Sequence, residues 1–467
     1  MKTTNTHTTT DFRDRIATVD EQGNRKWVYA AKPKGKLYSI RTWLSYIYFV
    51  LFFGLPFIKV NDRPLFLFNV TEPKFIIFGK VFWPQDFFIF GLAMIAFILF
   101  IVLFTAAFGR LFCGWICPHT NFMEMMFRKV EYWIVGSANE QKRLAKAHWN
   151  SEKILKIGSK HIVFFILAFI VSNYFLAYII GVDELERIIT EPVSQHFVGF
   201  ASLLAFSGVF YGVFAFFREQ ACTVVCPYGR LQSVLMDKNS VIVAYDYQRG
   251  EPRGNFKKKT EEPLGDCIDC FQCVTVCPTG IDIRNGLQME CVGCTACIDA
   301  CDAVMEKINK ATGLIRYASE NTIEKGEKLR YTTRMKLYTG LCSLVLIALS
   351  VILITRKDID ATVMRTPGIL YQERGIDSVS NLYNIKMVNK TNKPIPLTIK
   401  VENEAGKVEL IGNKYIPVAK EGQGTGSFFV VLPKKMITER KTKLKLALYE
   451  GDKKIAVVKT NFLGPIN

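Results

Sequence analysis

Five apolar runs constrain the fold of this 467-residue chain more than any other feature. None of the five contains a charged side chain, and they cover residues 43–58, 87–108, 162–182, 197–217 and 337–355. Because a helix of about 20 residues spans the hydrocarbon of a bilayer, most of the runs are long enough to cross it. The first run is the weakest of the five, since it is shorter and contains Pro56. The sequence predicts an α-helical membrane bundle of five spans.

The net charge of +18 fits either a nucleic-acid partner or a membrane protein with basic loops. Lys and Arg residues lie before the first run and between the second and third, whereas Arg187 is the only one between the third and fourth. The positive-inside rule therefore predicts a cytoplasmic N-terminus and an external C-terminal region. This distribution argues against nucleic acid. The polar, basic first 42 residues do not resemble a signal peptide.

Eight of the 13 cysteines fall in two runs, CIDCFQCVTVCP from Cys267 and CVGCTACIDAC from Cys291. Each run has cysteine spacings of two, two and three residues. A 4Fe-4S cubane needs four thiolates, of which such a run wraps three around the cluster while the fourth comes from elsewhere. In the two-cluster arrangement the fourth ligands are exchanged, which predicts Cys267, Cys270, Cys273 and Cys301 for cluster one and Cys291, Cys294, Cys297 and Cys277 for cluster two.

Zinc is the alternative for these runs, because paired C-x2-C units also suit tetrahedral zinc sites. Three consecutive cysteine steps, repeated once, fit zinc poorly. Residues 260–310 resemble the bacterial two-cluster ferredoxins, with one departure: Asp302 stands where the second run would have a proline. All 13 cysteines lie on the predicted cytoplasmic side or in the cytoplasmic half of a span, as expected for thiols kept reduced. Cys342 is interpreted as a small buried residue.

Two further cysteine pairs share the frame C-x3-C-P: Cys113 with Cys117, and Cys222 with Cys226. A helix through both cysteines would place both sulfurs on one face, and the following prolines predict that each pair lies at the last turn of its span. Such thiols could hold copper as Cu(I) or cycle between dithiol and disulfide, and simple packing is the alternative. His119, Met123 and Met126 follow the first pair as further candidate ligands, with helix packing again the alternative.

The last 110 or so residues alternate apolar and polar positions between turn signals, which predicts a small Ig-like β-sandwich. The predicted organisation is a basic cytoplasmic tail (1–42), a four-span membrane domain with both C-x3-C-P pairs (43–236), a cytoplasmic two-cluster ferredoxin-like domain (237–336), a fifth transmembrane helix (337–355) and an external, periplasmic Ig-like domain (356–467).

This arrangement, together with the stretches LPFIKVNDRPLFLFNV and FCGWICPHTNFME, resembles the FixG/RdxA/CcoG family of cytochrome c oxidase accessory proteins. The resemblance implies a multi-pass protein of the bacterial inner membrane with two 4Fe-4S clusters. It also implies an oxidoreductase that reduces Cu(II) to Cu(I) for assembly of cbb3-type oxidase, with oxidase subunits or copper-delivery proteins as partners. By the same resemblance, Cys113, Cys117, Cys222 and Cys226 are the candidate catalytic and copper-binding residues.

Two other functions remain open from the sequence. One is a quinol-linked electron conduit, similar to the membrane ferredoxin subunits of nitrate-reduction systems. The other is a redox-sensing scaffold whose external domain binds the oxidase. The predicted outer segments lack cysteine, so we expect the electron donor, the clusters and the acceptor all to meet at the cytoplasmic face. The electron donor is expected to be a cytoplasmic reductant or membrane quinol.

Overall fold

The computed structural model describes residues 17–20, 22–69, 74–83, 86–254, 264–328, 331–356, 359–368, 370–391, 393–402, 406–412, 415–437 and 439–465. The chain divides into two compact units. The first, mostly helical unit comprises Met1–Phe57 and Phe90–Leu349, and the second, mostly β unit comprises Ile58–Ile89 and Ser350–Asn467. The inclusion of Ile58–Ile89 in the β unit was not predicted from the sequence.

Within the described residues, five helices are long and apolar enough to cross a membrane: Lys36–Phe57, Phe87–Phe108, Ser151–Ile180, Phe197–Phe217 and Thr333–Thr355. They confirm the five predicted spans. The third begins at Ser151 rather than at residue 162, because the Asn150 side chain caps it by accepting a hydrogen bond from the Lys153 N–H at 2.8 Å. A polar first turn thus extends the helix beyond its apolar run.

The α-helices are α1 (Lys36–Gly54), α2 (Phe87–Phe108), α3 (Leu111–Trp115), α4 (Pro118–Asn121), α5 (Arg128–Ile134), α6 (Ala138–Lys146), α7 (Ser151–Ile180), α8 (Val182–Thr190), α9 (Phe197–Gly212), α10 (Pro227–Leu235), α11 (Tyr247–Gly250), α12 (Gln272–Thr275), α13 (Ala296–Lys307), α14 (Glu320–Lys325) and α15 (Thr333–Ile354). Three π-helical segments, which often mark functional sites, occur at Phe122–Phe127, Val213–Phe217 and Ala221–Val225. Short 3-10 turns occur at Leu55–Phe57, Ile283–Asn285 and Lys434–Met436.

The strands are β1 (Lys59–Val60), β2 (Arg63–Pro64), β3 (Phe66–Asn69), β4 (Lys74–Ile77), β5 (Lys80–Phe82), β6 (Ile242–Tyr245), β7 (Ile315–Ala318), β8 (Ile359–Arg365), β9 (Gln372–Arg374), β10 (Ser378–Asn389), β11 (Ile395–Val401), β12 (Lys407–Leu410), β13 (Ile416–Val418), β14 (Gln423–Pro433), β15 (Lys441–Glu450) and β16 (Lys453–Leu463).

An aromatic core holds the helical unit together beside the C-x3-C-P segments. Phe127 and Phe214 stack with their ring centroids 4.3 Å apart, and Phe164 meets Phe127 edge-on at 5.1 Å. All three rings are buried. Such offset and edge-on pairs contribute about 0.5–1.5 kcal/mol each beyond the area they bury. They join the segment after α4 to α7 and to the end of the fourth span.

The cysteine-rich region has a small framework of its own. Strands β6 and β7 pair antiparallel, from Ile242 opposite Ala318 to Tyr245 opposite Ile315. Val243, Tyr245, Ile283 and Met305 are buried with the cysteine runs in one apolar cluster. Both cysteine runs therefore lie between the two paired strands in the sequence and pack with them in one cluster.

The β unit contains a sandwich of two antiparallel sheets, with strand orders β12-β14-β10-β8 (β9 added on β10) and β13-β11-β15-β16. Leu397, Phe428 and Phe462 are fully buried between them, and the buried Tyr383 hydroxyl donates to the Asn461 carbonyl at 2.9 Å. This architecture confirms the predicted Ig-like fold. In the same unit, Lys390 Nζ lies 2.7 Å from a carboxylate oxygen of Asp86, just before α2.

The part of the predicted basic tail that the structure describes contacts the rest of the helical unit. Arg25 Nη2 lies 2.9 Å from a Glu219 carboxylate oxygen, and the Ala31 N–H donates to the Thr275 carbonyl at 2.8 Å. The chain then enters α1 at Lys36, seven residues before the predicted span. Residues 1–16 and 21 lie outside the described residues. The remainder is tied to the cysteine-rich region because its polar backbone finds hydrogen-bond partners there.

Candidate metal centres

The two four-cysteine runs adopt the same backbone turn. In each run the third and fifth residues have left-handed φ angles, at Asp269 (54°), Phe271 (56°), Gly293 (67°) and Thr295 (63°). Only one of the four is glycine, so the turn costs about 1–2 kcal/mol at each other position. The third cysteine of each run then enters the first turn of α12 or α13. The repeated spacing therefore produces a repeated geometry that curves the chain around its thiols.

The effects of the eight cysteines on one another's pKa values indicate which thiols are neighbours. Burial first, and then the nearby Cys273, raises the pKa of Cys301 to about 12, with contributions from Cys270 and Cys267. Cys277 likewise contributes to the raised pKa values of Cys291, Cys294 and Cys297. The fourth cysteine of each run thus lies with the first three of the other run. The assignment of these thiols as ligands stays a prediction.

The donor chemistry of both sets fits a 4Fe-4S cluster. A small cavity is lined by the second set together with Cys273. The backbone N–H groups of Gly293 and Ala296 act to lower the pKa values of Cys291 and Cys294, against the larger effect of burial. Buried thiols with raised pKa values need a nearby cation to be thiolates, and iron supplies that charge when bound.

Asp302, the departure from the ferredoxin pattern, has a structural role. Its Oδ1 accepts a hydrogen bond from the Gly313 N–H at 2.7 Å. Gly313 has a left-handed φ of 80° and leads into β7. The carboxylate therefore joins α13 to the loop before β7, a connection that proline could not make.

The C-x3-C-P pairs do not lie at the last turn of their spans, so that prediction is wrong. The spans end at Phe108 and Phe217, and each is followed by a left-handed residue, Gly109 (φ 54°) or Arg218 (φ 51°). The first cysteine of each pair lies in a separate helical turn, α3 or Ala221–Val225. Cys117 and Cys226 are extended, with ψ of 127° and 113°, and cap the helices that begin at Pro118 and Pro227. Proline at the first position ends one helix and starts the next.

Both pairs come together in one place, which we call the four-thiol site: Cys113, Cys117, Cys222 and Cys226. Burial, followed by Cys117, raises the pKa of Cys113 to about 12, and Cys226 also contributes. Burial and then Cys117 likewise raise the pKa of Cys222 to about 12. Among the residues that the structure describes, no three His, Cys, Asp or Glu side chains are close enough to hold a single metal ion. The four thiols are therefore neighbours without being arranged around one ion.

Two polar residues beside this site were not predicted. Gln232 is fully buried, and its Oε1 accepts a hydrogen bond from the Cys113 sulfur at 3.1 Å, while its Nε2 is buried without a hydrogen-bond partner. Thr120 Oγ1 lies 4.0 Å from the Cys222 sulfur. Gln232 lies about two turns beyond Cys226 on α10. This spacing was the only indication in the sequence that Gln232 could lie near the cysteines.

The candidate ligands after the first pair occupy packing positions. His119 Nε2 lies 2.9 Å from the Arg218 carbonyl, and its ring stacks on Phe214. Met123 is buried in the aromatic core, and Met126 packs against it. The contacts of His119, Met123 and Met126 are therefore those expected of helix packing.

A buried ion network fixes the turn before the second pair. Arg218 forms two hydrogen bonds to the Glu131 carboxylate, at 2.8 and 3.2 Å, and Lys160 Nζ lies 2.9 Å from the same group. Burial would raise the pKa of Glu131, but Arg218 and Lys160 lower it to about 2. The strained φ of Arg218 is thus held by a paired charge, which sets the direction in which the chain leaves the fourth span for Cys222.

The four-thiol site lies directly against the loop of cluster two, which we define as residues 289–297. A Cβ atom on Gly114, between the first two thiols in sequence, would lie 2.6 Å from the Gly293 carbonyl oxygen. Arg110 donates a hydrogen bond to the Cys291 carbonyl at 3.4 Å. The indole N–H of Trp115 donates to the Tyr317 hydroxyl at 3.1 Å. Backbone touches backbone here, because glycine on both sides removes the side chains.

Comparison with known families agrees with these sites. Residues 217–320 match a family model described as a 4Fe-4S dicluster domain, and residues 90–137 match a 4Fe-4S binding domain. Residues 349–465 match the model for the Ig-like fold at the C-terminus of FixG. Together with five spans, these matches define a multi-pass membrane iron–sulfur electron-transfer protein.

Three curated relatives identify the family. Protein RdxB of Cereibacter sphaeroides is 33% identical over 400 residues, covering 82% of this chain and 83% of RdxB. Protein RdxA of the same organism is 30% identical, covering 87% and 89%. Nitrogen fixation protein FixG of Rhizobium meliloti is 35% identical, covering 63% of this chain and 57% of FixG. The chain belongs to the FixG/RdxA family.

Proposed function

We propose that this protein reduces Cu(II) to Cu(I) at the four-thiol site, for assembly of a cbb3-type cytochrome c oxidase. The observation that carries the proposal is the backbone contact between Gly114 and the loop of cluster two, where a single Cβ atom would not fit. Two redox-competent sulfur sites in such contact form a continuous path for electrons.

The chemistry needs one electron for each copper ion. The iron–sulfur clusters supply single electrons when bound. Soft thiolates favour Cu(I) over Cu(II), so the four-thiol site stabilises the product of the reduction. None of the four cysteines is fully buried. Copper is the substrate in this scheme.

We further propose that the cluster region and the N-terminus face the cytoplasm and the Ig-like domain faces the periplasm. The support is the Lys and Arg bias of the loops around the first three spans. A cytoplasmic reductant or membrane quinol then delivers the electrons, and oxidase subunits or copper-delivery proteins receive the Cu(I). Labelling of single cysteines introduced into residues 183–196 and 440–460, in intact cells, tests this orientation. Protection of the second segment from an impermeant reagent would contradict it.

The decisive experiment uses anaerobically purified full-length protein. Iron and acid-labile sulfide are counted, the clusters are reduced with dithionite, excess reductant is removed, and Cu(I) formation is followed with a Cu(I) chelator. We expect Cys113→Ser with Cys117→Ser, and Cys222→Ser with Cys226→Ser, to keep both ferredoxin clusters but to lose Cu(I) formation. Cys342→Ala is the matched control, because Cys342 is a buried thiol in α15. Wild-type rates in both double variants would refute the proposal.

A second candidate function is favoured by the match of residues 90–137 to a 4Fe-4S binding domain. That segment supplies only two cysteines, but the structure adds Cys222 and Cys226 to them. The four-thiol site would then hold a third cluster, and the protein would be an electron conduit to a quinone. Iron analysis separates the two functions, since two cubanes give about eight irons per chain and three give about twelve.

A further inference from the structure

We propose that Arg110 is the shared counter-ion of the four-thiol site and of cluster two, and that its side chain holds the two centres in contact. The inference rests on the proposed function in one respect, that electrons pass between these centres. Arg110 follows the left-handed Gly109 at the end of the second span and directly precedes α3, which carries Cys113. It therefore stands at the junction of the membrane helix and both sulfur sites.

The hydrogen bonds of Arg110 span three chain segments. Its Nη1 donates to the carbonyls of Met289 and Cys291, in the loop of cluster two. Its Nη2 donates to the carbonyl of Gly229 on α10, three residues after Cys226. A single guanidinium thus connects the loop of cluster two to the helix that follows the second C-x3-C-P pair. A planar group with five donors can make this connection, and a lysine ammonium cannot reproduce its fork.

The charge of Arg110 lacks a conventional partner. The side chain is 7% exposed, and its Nε is buried without a hydrogen-bond acceptor. The acceptors of its hydrogen bonds are carbonyls, and within the described ranges no carboxylate forms an ion pair with it. A buried, uncompensated cation is strongly destabilising, so a protein that retains one needs an anion nearby.

The anions that meet this need are sulfur ligands. Arg110 lies close enough to Cys113 and to Cys291 to lower the pKa of each, against the larger effect of burial. One of these thiols belongs to the four-thiol site and the other to the predicted cluster two. A cubane held by four thiolates carries net negative charge in both of its oxidation states, and Cu(I) held by thiolates is also anionic. One cation therefore neutralises two centres at once.

Cluster one has a different arrangement, which provides the contrast. Arg284, beside Cys273, is buried to a similar degree but pairs with the carboxylates of Asp282, at 2.6 Å, and Asp269. Its charge is already compensated by protein groups. We therefore infer that Arg110, whose charge no carboxylate offsets, stabilises added electrons at cluster two and at the four-thiol site, whereas the charge of Arg284 beside cluster one is offset by two carboxylates.

A shared counter-ion couples the reduction of the two centres. With cluster two bound and reduced, its greater negative charge would attract Arg110 more strongly, and transfer of that electron to Cu(II) at the four-thiol site would release the attraction. Reduction of either centre makes reduction of the other less favourable. An electron is thus held at one centre at a time, which favours transfer over accumulation.

The test compares Arg110→Gln, Arg110→Lys and the wild type in redox titrations followed by electron paramagnetic resonance. We expect Arg110→Gln to move the midpoint potential of cluster two to more negative values and to leave cluster one, the internal reference, unchanged. Arg110→Lys keeps the charge but not the three-way hydrogen bonding, so it should retain most of the potential and slow Cu(I) formation. Arg143→Gln, at an exposed arginine on α6, is the control for loss of a positive charge.

An unchanged cluster-two potential in Arg110→Gln, or an equal shift of both clusters, would overturn the inference. If Arg110→Gln loses iron, Arg110→Lys provides the second measurement. Because lysine keeps the positive charge, the potential of cluster two should stay near the wild-type value, and a large negative shift there would also overturn the inference. These potentials are measured without copper, so failure of the wild type to reduce Cu(II) would refute the proposed function and leave this test intact.

Discussion

Gly114→Ala tests whether contact between the four-thiol site and the loop of cluster two matters for electron transfer. The substitution adds one methyl group and removes no ligand, charge or hydrogen bond. The new Cβ atom would lie 2.6 Å from the Gly293 oxygen and 2.7 Å from the Val292 oxygen, against 3.4 Å or more for ordinary contacts. Both obstacles are backbone atoms, so α3 and the loop must separate by about 0.8 Å.

Two effects of different size follow from this displacement. Overpacking of this kind costs about 1–3 kcal/mol of stability. Transfer between the two centres depends on their separation, and we expect Cu(I) formation to slow by roughly tenfold, within the approximately 100-fold that a 1 Å misplacement can cost. Both predicted ferredoxin clusters should remain, because no cysteine is altered.

The assay is single-turnover oxidation of dithionite-reduced protein by Cu(II) in stopped flow, followed by the visible absorbance of the clusters. Thermal unfolding in detergent is measured on the same samples. The matched control is Gly158→Ala in α7, since a Cβ atom there meets nothing within 4 Å. That substitution should raise stability by up to about 1 kcal/mol, because alanine is the better helix former.

The rate and the stability together decide the outcome. A wild-type rate in Gly114→Ala, with the expected loss of stability, would show that the contact is structural and that electrons reach the acceptor elsewhere. A slow rate in both Gly114→Ala and Gly158→Ala would show that the assay responds to any change in the helical unit.

Three further predictions concern groups whose partners are defined. Glu131→Gln leaves Arg218 and Lys160 without their carboxylate and should lower the free energy of unfolding by about 3–5 kcal/mol, measured by thermal unfolding. The pKa of Glu131 is lowered to about 2. Its contribution to wild-type stability is therefore complete above the ordinary pKa of a glutamate and is lost as the pH falls toward 2. Asp86→Asn should destabilise the β unit by a similar amount, because Lys390 is buried against that carboxylate. Burial acts to raise the pKa of Asp86, but the hydrogen bond from Lys390 opposes burial and the net shift is downward. Wild-type stability should therefore decline at acidic pH, and the variant should lack this decline. Cys301→Ser should perturb the paramagnetic signal of cluster one, at Cys267, Cys270 and Cys273. Cys277→Ser should perturb the signal of cluster two. If Cys301→Ser perturbed cluster two instead, or Cys277→Ser cluster one, the exchange of ligands would be contradicted.

Regular spacing made the spans, the paired cysteine runs and the sandwich predictable. Apolar runs of membrane length and alternation in strands each reflect one periodic environment, lipid or a sheet face. The predicted exchange of Cys277 and Cys301 rests on a repeated spacing that cannot close a cubane by itself. The Ig-like fold and the five helices of the structure confirm the corresponding predictions.

Contacts between distant segments were not predictable in the same way. The break after the fourth span occurs at Arg218, a residue type with no preference for a left-handed φ, and depends on Glu131 from another helix. Gln232 and Arg110 are single polar residues in apolar surroundings, and nothing in their local sequence indicates a sulfur neighbour. The proline rule located the ends of the C-x3-C-P helices, but it could not show that the spans had already ended several residues earlier.

The start of α1 has a consequence for biosynthesis. The first two N–H groups after Lys36, those of Leu37 and Tyr38, donate to the carboxylate of Asp299 at 3.1 and 2.7 Å. Asp299 lies between two cluster cysteines on α13, 261 residues after Tyr38 in the sequence. A carboxylate at a helix N-terminus contributes about 0.5–2 kcal/mol. Helix α1 therefore lacks this cap during synthesis until the segment that carries Asp299 has been translated and has folded against it.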